Sequence, residues 1–168
     1  MQNRISRSIV TFLMAVGLTG LAAACASNRA ATERKEDAAA RISLAELSTP
    51  ARAAVQKLTA GGKIEKIDKE VEKGKEVYDV EATVNGKHME YTIATDGSVV
   101  GTETGIDSSE LPEAVQTAAK KYFGGATRLD SVRVEEDGRT AYEIEGKKNG
   151  KKVAITFDTR GKVVEEEK

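Results

Sequence analysis

From Tyr78 to Val84 the side chains alternate in character, with Tyr78, Val80, Ala82 and Val84 on one side and Asp79, Glu81 and Thr83 on the other. Past Asn85-Gly86, Met89, Tyr91 and Ile93 continue the apolar side; Tyr142, Ile144, Val153, Ile155 and Phe157 repeat the scheme around Asn149-Gly150. Such a period of two describes antiparallel strands with one buried and one wet face. Asn-Gly supplies the two left-handed residues of a type I′ turn, which predicts a two-residue hairpin at each site. Facing residues then sum to 171 around 85–86 and to 299 around 149–150. Glu81 is therefore set opposite Glu90, Asp79 opposite Thr92 and Thr83 opposite His88, while Lys147 faces Lys152 and Glu143 faces Thr156.

Lys73-Gly74, Asp96-Gly97, Asp137-Gly138 and Arg160-Gly161 mark further tight turns. Ahead of each strand group the period becomes helical. PARAAVQKLTAGG begins at Pro50 and PEAVQTAAKKYFGG at Pro112, each with proline at the start and glycine past the end. Ser48 or Thr49, and Ser109 or Glu110, are available as caps. Val55 and Leu58 in the first helix, and Val115, Ala118, Ala119 and Tyr122 in the second, recur at helical spacing.

The stretches 71–100 and 135–164 agree at 12 of 30 ungapped positions at an offset of 64, an internal duplication. The expected fold class is α+β, with two tandem repeats, 47–104 and 105–168. Each is an N-terminal helix packed on an antiparallel sheet of about four strands. A unit near 60 residues buries a modest core, and a chain with one cysteine has no internal disulfide. The two copies therefore either pack together or share one continuous sheet.

The amino end differs from the rest. MQNRISRS carries Arg4 and Arg7 and no acid, and the uncharged run IVTFLMAVGLTGLAAA follows, ending before Cys25. This is the layout of a secretory signal, and the run falls short of the ~20 apolar residues that a spanning helix needs. Leu21-Ala22-Ala23-Ala24-Cys25 resembles the lipobox of bacterial lipoproteins, which implies a signal peptide over 1–24 and lipidation of Cys25, the sole cysteine. Residues 25–46 are expected to form a tether, as a solvated helix or as a coil spanning on the order of 25 Å. Without 1–24 the 26 basic residues fall to 24 against 27 acids, so no field that gathers nucleic acid is implied. Aromatic residues make up 4% of the chain, too few for base-stacking interleaved with basic side chains.

An activated serine or cysteine requires a base within hydrogen-bond reach. The only histidine, His88, is placed on the wet face, and no Gly-x-Ser-x-Gly elbow accompanies it. The acids of that face are expected to be solvated and to keep ordinary pKa values. They read either as a charged surface or as a docking or cation site at Asp79, Glu81, His88 and Glu90, with Lys147 and Lys152 as a basic end. No Asp-x-Asp-x-Asp-Gly calcium loop is present. Gly61-Gly62 and Gly124-Gly125 follow their helices and act as stops rather than phosphate cradles. No catalytic residue, metal ligand or cofactor is assigned.

The proline-led helix, the Gly-Gly break and the Gly-x-x-x-Tyr-[Asp/Glu]-[Val/Ile]-Glu segment leading to Asn-Gly-Lys resemble tandem PepSY-like domains, a family also described as beta-lactamase-inhibitor-like, over residues 47 to 166. The resemblance implies a non-enzymatic envelope protein that binds or restrains proteases or other envelope proteins. With its single cysteine, the chain departs from the disulfide-bearing secreted beta-lactamase inhibitors. The expected protein is lipid-anchored, periplasm-facing and non-catalytic, with an envelope protein as partner, the membrane reached through its N-terminal lipid, and no nucleic acid. The alternative is an envelope sensor or carrier binding a small ligand or divalent cation on the outer face of the first repeat. Ala26 stands where an aspartate holds some lipoproteins in the inner membrane, which by the same resemblance points to the outer one.

Overall fold

The computed structural model describes residues 40–125 and 129–167. The expected signal segment 1–24, Cys25 and the tether as far as residue 39 lie outside the described residues. Among the described residues nine strands form one antiparallel sheet whose spatial order is the order of the chain. They are β1 (Ala40–Arg41), β2 (Lys63–Glu72), β3 (Lys75–Val84), β4 (Lys87–Ala94), β5 (Val99–Ile106), β6 (Asp130–Glu136), β7 (Arg139–Lys148), β8 (Lys151–Asp158) and β9 (Val163–Glu167). Helix α1 (Thr49–Leu58) precedes β2, and α2 (Glu113–Phe123) precedes β6. The α+β class is as expected: one large antiparallel sheet and two helices. Of the two arrangements left open, the continuous sheet is the one found, because β5 pairs with β6 from Gly101↔Glu136 to Ile106↔Ser131. No helix among the described residues is long and apolar enough to cross a membrane.

The sheet begins inside the stretch expected to be tether. Ala40 pairs with Lys69 and Arg41 with Asp68, the Ile42 amide donates to the Ile67 carbonyl at 3.0 Å, and Ile42 and Leu44 pack on the core. The hairpin turns follow their letters. Lys73, Asn85, Asp137 and Asn149 have φ of 50°, 52°, 49° and 53°, and each is followed by a glycine with positive φ, as a type I′ turn demands. The β3–β4 and β7–β8 registers are those of the sums 171 and 299.

Helix α1 is capped by Ser48, whose Oγ accepts from the Ala51 amide at 3.2 Å and donates to the Thr95 carbonyl at 2.5 Å. Ser109 and Glu110 do not cap α2. They belong to a separate 3-10 turn, Ser108–Glu110, capped by Asp107, and Pro112 takes the N-cap position of α2. The physical reason is the proline, which disfavours helical conformation in the residue before it; Leu111 is extended at φ −66° and ψ 145°. Helix α2 ends on Gly124 at φ 65°.

Two hydrophobic clusters form the core. One gathers Ala51 and Val55 of α1 with Ile67, Tyr78, Val80, Tyr91 and Ile93. The other gathers Val115, Ala119 and Phe123 of α2 with Tyr142, Ile144, Ile155 and Phe157. Met89 pairs with Thr104, Thr104 with Arg133 and Arg133 with Tyr142. Paired residues share a side of the sheet, so this row joins the two clusters and puts both helices on one face. Ile93 and Ile144 are fully buried there, each contributing about 1.5–3 kcal/mol through burial. The β4–β5 and β8–β9 turns abut the helix starts: a Cβ on Gly97 would stand 2.8 Å from the Pro50 carbonyl oxygen, and one on Gly161 would stand 2.5 Å from that of Ala114.

Candidate functional site

Among the described residues the opposite face carries no helix, and the strand registers write out its rows. The central row runs Lys66, Glu81, Glu90, Glu103, Val134, Ala141 and Asp158. A neighbouring row runs Asp68, Asp79, Thr92, Gly101, Glu136 and Arg139. Three carboxylates thus stand on consecutive strands at Glu81, Glu90 and Glu103. Facing side chains on adjacent strands have Cβ atoms about 5 Å apart. At that distance and an effective dielectric near 20, two ionised groups repel by on the order of 3 kcal/mol.

Cations are held at the margins. Lys66 Nζ bridges Asp68 at 2.5 Å and Glu81 at 3.2 Å. Lys73 reaches Glu136 at 3.3 Å and Lys152 reaches Glu145 at 2.7 Å. Thr92 Oγ1 donates to Asp79 Oδ1 at 3.0 Å. Glu70, Glu72 and Asp79 each bring a carboxylate oxygen within 4.8 Å of the others, a crowding that a proton or a bound cation relieves.

The expectation of solvated acids with ordinary pKa values is not met. Asp68, Asp79, Glu143 and Glu145 are buried, Asp79 being 7% exposed. Burial foremost, then Glu70, pushes the Asp79 carboxyl up to about 7, against the pull of the Thr92 hydrogen bond. Burial, then Glu90 and more distant acids, pushes Glu103 up to about 8, and burial followed by Glu136 raises Glu72. A strand flanked on both sides by others loses water to its neighbours' side chains even without a covering layer, and alternation within one strand does not reveal this. Glu103 was missed outright. Its strand reads VVGTETGI, with no apolar alternation to mark a strand face; the signal that finds it is the β4–β5 pairing itself, Glu90↔Glu103.

The other predicted positions are placed as follows. Asp79, Glu81, His88 and Glu90 share the helix-free face, with His88 opposite Thr83 and packed beside Gly105. Among the described residues the three acids whose oxygens converge are Glu70, Glu72 and Asp79, so Glu81, His88 and Glu90 stand outside that group. Lys147 and Lys152 face each other, exposed, at the β7–β8 end of the same face. Cys25 is outside the described residues.

A single antiparallel meander backed on one side by two helices is the architecture that comparison with known proteins also returns. The family described as Peptidase propeptide and YPEB domain (PepSY) matches residues 35–103 and again 112–167, and the chain belongs to that family. The YkoJ protein of Bacillus subtilis (strain 168) is 29% identical over 142 residues, covering 76% of this chain and 81% of its own. Among solved structures, a protein of Bacteroides eggerthii named for a periplasmic location superposes with a TM-score of 0.59 at 21% identity, over 72% of this chain and 88% of its own. A BLIP-like protein from Bacteroides fragilis superposes with a TM-score of 0.54 at 25% identity, over 72% and 85% respectively.

Proposed function

We propose that this is a non-catalytic binding protein of the bacterial envelope, which holds another protein against the helix-free face of its sheet and thereby restrains an enzyme. The observation that carries this reading is that face itself, on which acidic side chains from β2 to β5 adjoin the apolar Val134 and Ala141 of β6 and β7. The PepSY membership and the likeness to a BLIP-like protein support an inhibitor-like role, and the location named for the Bacteroides eggerthii neighbour supports the periplasmic side. In the full proposal the chain is two tandem units, 47–104 and 105–168, tethered by 25–46 to a lipid on Cys25, most simply in the outer membrane. Asp79, Glu81, His88 and Glu90 form the middle of the contact surface, with Lys147 and Lys152 at one end.

The test is site-resolved crosslinking in intact envelopes. Photoreactive residues at Thr83 and Thr92, both on the helix-free face, are expected to capture a discrete protein partner, whereas one at the exposed Lys57 of α1 is not. Capture at Lys57 alone, or no adduct at Thr83 and Thr92, overturns the reading. A second reading, a divalent cation on the same face, draws on the convergence of Glu70, Glu72 and Asp79. It expects a calcium- or magnesium-dependent rise in melting temperature that Glu70→Gln abolishes; the same melting temperature with cation or with chelator rejects it.

A further inference from the structure

We propose that the middle of the helix-free face is a proton switch: Glu90 and Glu103, opposed across β4 and β5, share a proton whose release takes the pair from one negative charge to two. This goes beyond the docking reading and does not require it, since the switch is a property of the sheet.

The geometry is set by the ladder. Glu103 lies directly opposite Glu90 on one side and Val134 on the other, so the residue that faces it from β6 offers neither charge nor hydrogen bond. Along β5 the same face presents Gly101 and Gly105, which bring no polar side chain. From β4, Thr92 and His88 flank Glu90; from β6, Val132 and Glu136 flank Val134. One strand further out stand Asp79 and Glu81 on β3, and Arg139, Ala141 and Glu143 on β7. On this face Lys66 bridges Asp68 and Glu81, Lys73 reaches Glu136 and Lys152 reaches Glu145, while Lys63, Lys75 and Lys147 stand exposed at or near strand ends. Arg139 stands opposite Glu136. Neither helix faces the pair, because both pack on the other side.

Two carboxylates held on facing positions in half-buried surroundings ionise in two steps, as a pair. Burial and the charge of Glu90 push Glu103 up to about 8, which places the upper step near neutrality. Loss of that proton adds one negative charge at the centre of the sheet, beside Glu81 in the same row.

The experiment is an NMR titration of side-chain carboxyl carbons in the full chain, in chelator-containing buffer from about pH 4 to 10. Glu103 is expected to titrate above about pH 6.5, with Glu90 showing a second inflection at the same pH. Glu103→Gln is expected to erase that inflection from the Glu90 curve. The proposal is overturned if Glu103 completes its titration below about pH 6, or if Glu103→Gln leaves the Glu90 curve unchanged. Should Glu103→Gln not fold, Glu90→Gln removes the other member and is expected to lower the Glu103 midpoint; an unmoved midpoint rejects the coupling. The crosslinking experiment above reads neither quantity, so the two proposals fail separately.

Discussion

Adding one methyl group at Gly161 separates two costs that glycine turns usually combine. Gly161 has φ +76°, and a Cβ there would stand 2.5 Å from the backbone oxygen of Ala114 in the first turn of α2. Contact becomes ordinary at 3.4 Å, so the turn or the helix must retreat by the difference, about 0.9 Å. Backbone atoms cannot rotate away as a side chain can. Gly150 has φ +78° with nothing within 4 Å of its would-be Cβ. Gly150→Ala is therefore expected to cost only the left-handed backbone penalty, about 1–2 kcal/mol. Gly161→Ala adds overpacking of about 1–3 kcal/mol, for a total of about 2–5 kcal/mol. Urea unfolding followed by circular dichroism measures both, and with a slope of about 2 kcal/mol/M the Gly161→Ala midpoint is expected to fall by about 1–2.5 M. Equal losses in the two variants would show that the turn does not press on α2, and the account of how the helices are seated would be wrong.

Other features of the structure give further expected outcomes. Ile144→Ala empties a fully buried position in the α2 cluster and is expected to cost about 2–5 kcal/mol in urea unfolding. Lys66→Met removes the ammonium 2.5 Å from Asp68, whose side chain is 5% exposed, and is expected to lower stability by about 1–3 kcal/mol, whereas Arg41→Ala, at 67% side-chain exposure and 3.8 Å from the same acid, is expected to cost under about 1 kcal/mol. Folded-state pKa values of about 7 for Asp79 and about 8 for Glu103 exceed their ordinary values of 3.8 and 4.5, so the folded chain holds protons that the unfolded chain releases. Their stabilising contribution is complete below the ordinary values and is lost as pH rises through the folded ones. The urea midpoint is accordingly expected to be higher at pH 6 than at pH 9, with Glu103→Gln narrowing the gap; a midpoint that rises over that interval contradicts the assignment.

Local signals carried the strands far. Asn85-Gly86 and Asn149-Gly150 determine which residues oppose which, because a two-residue turn admits one register, and both hairpins obey it. The proline–glycine brackets located α1 and α2 for equally local reasons. What escaped notice depends on pairing between strands distant in sequence or on the surroundings of a whole face. Asp79 reads as a wet residue within its own strand, yet Asp68 on β2 and Thr92 on β4 close over it. Glu103 has no partner in sight until β5 is laid beside β4. Ala40–Arg41 is too short to show any period, and its pairing with β2 is a tertiary event. Gly97 and Gly161 announced turns, but not that a helix start rests on each.

Because spatial order in the sheet repeats chain order, no strand has to wait for a distant segment before its neighbour is available. Hairpins can zip one after another as the polypeptide emerges amino end first, each new strand finding a template already laid down. Topologies rich in such short-range closures fold faster than Greek-key sheets of similar size. Little unpaired strand is exposed at any moment while the sheet closes in this order.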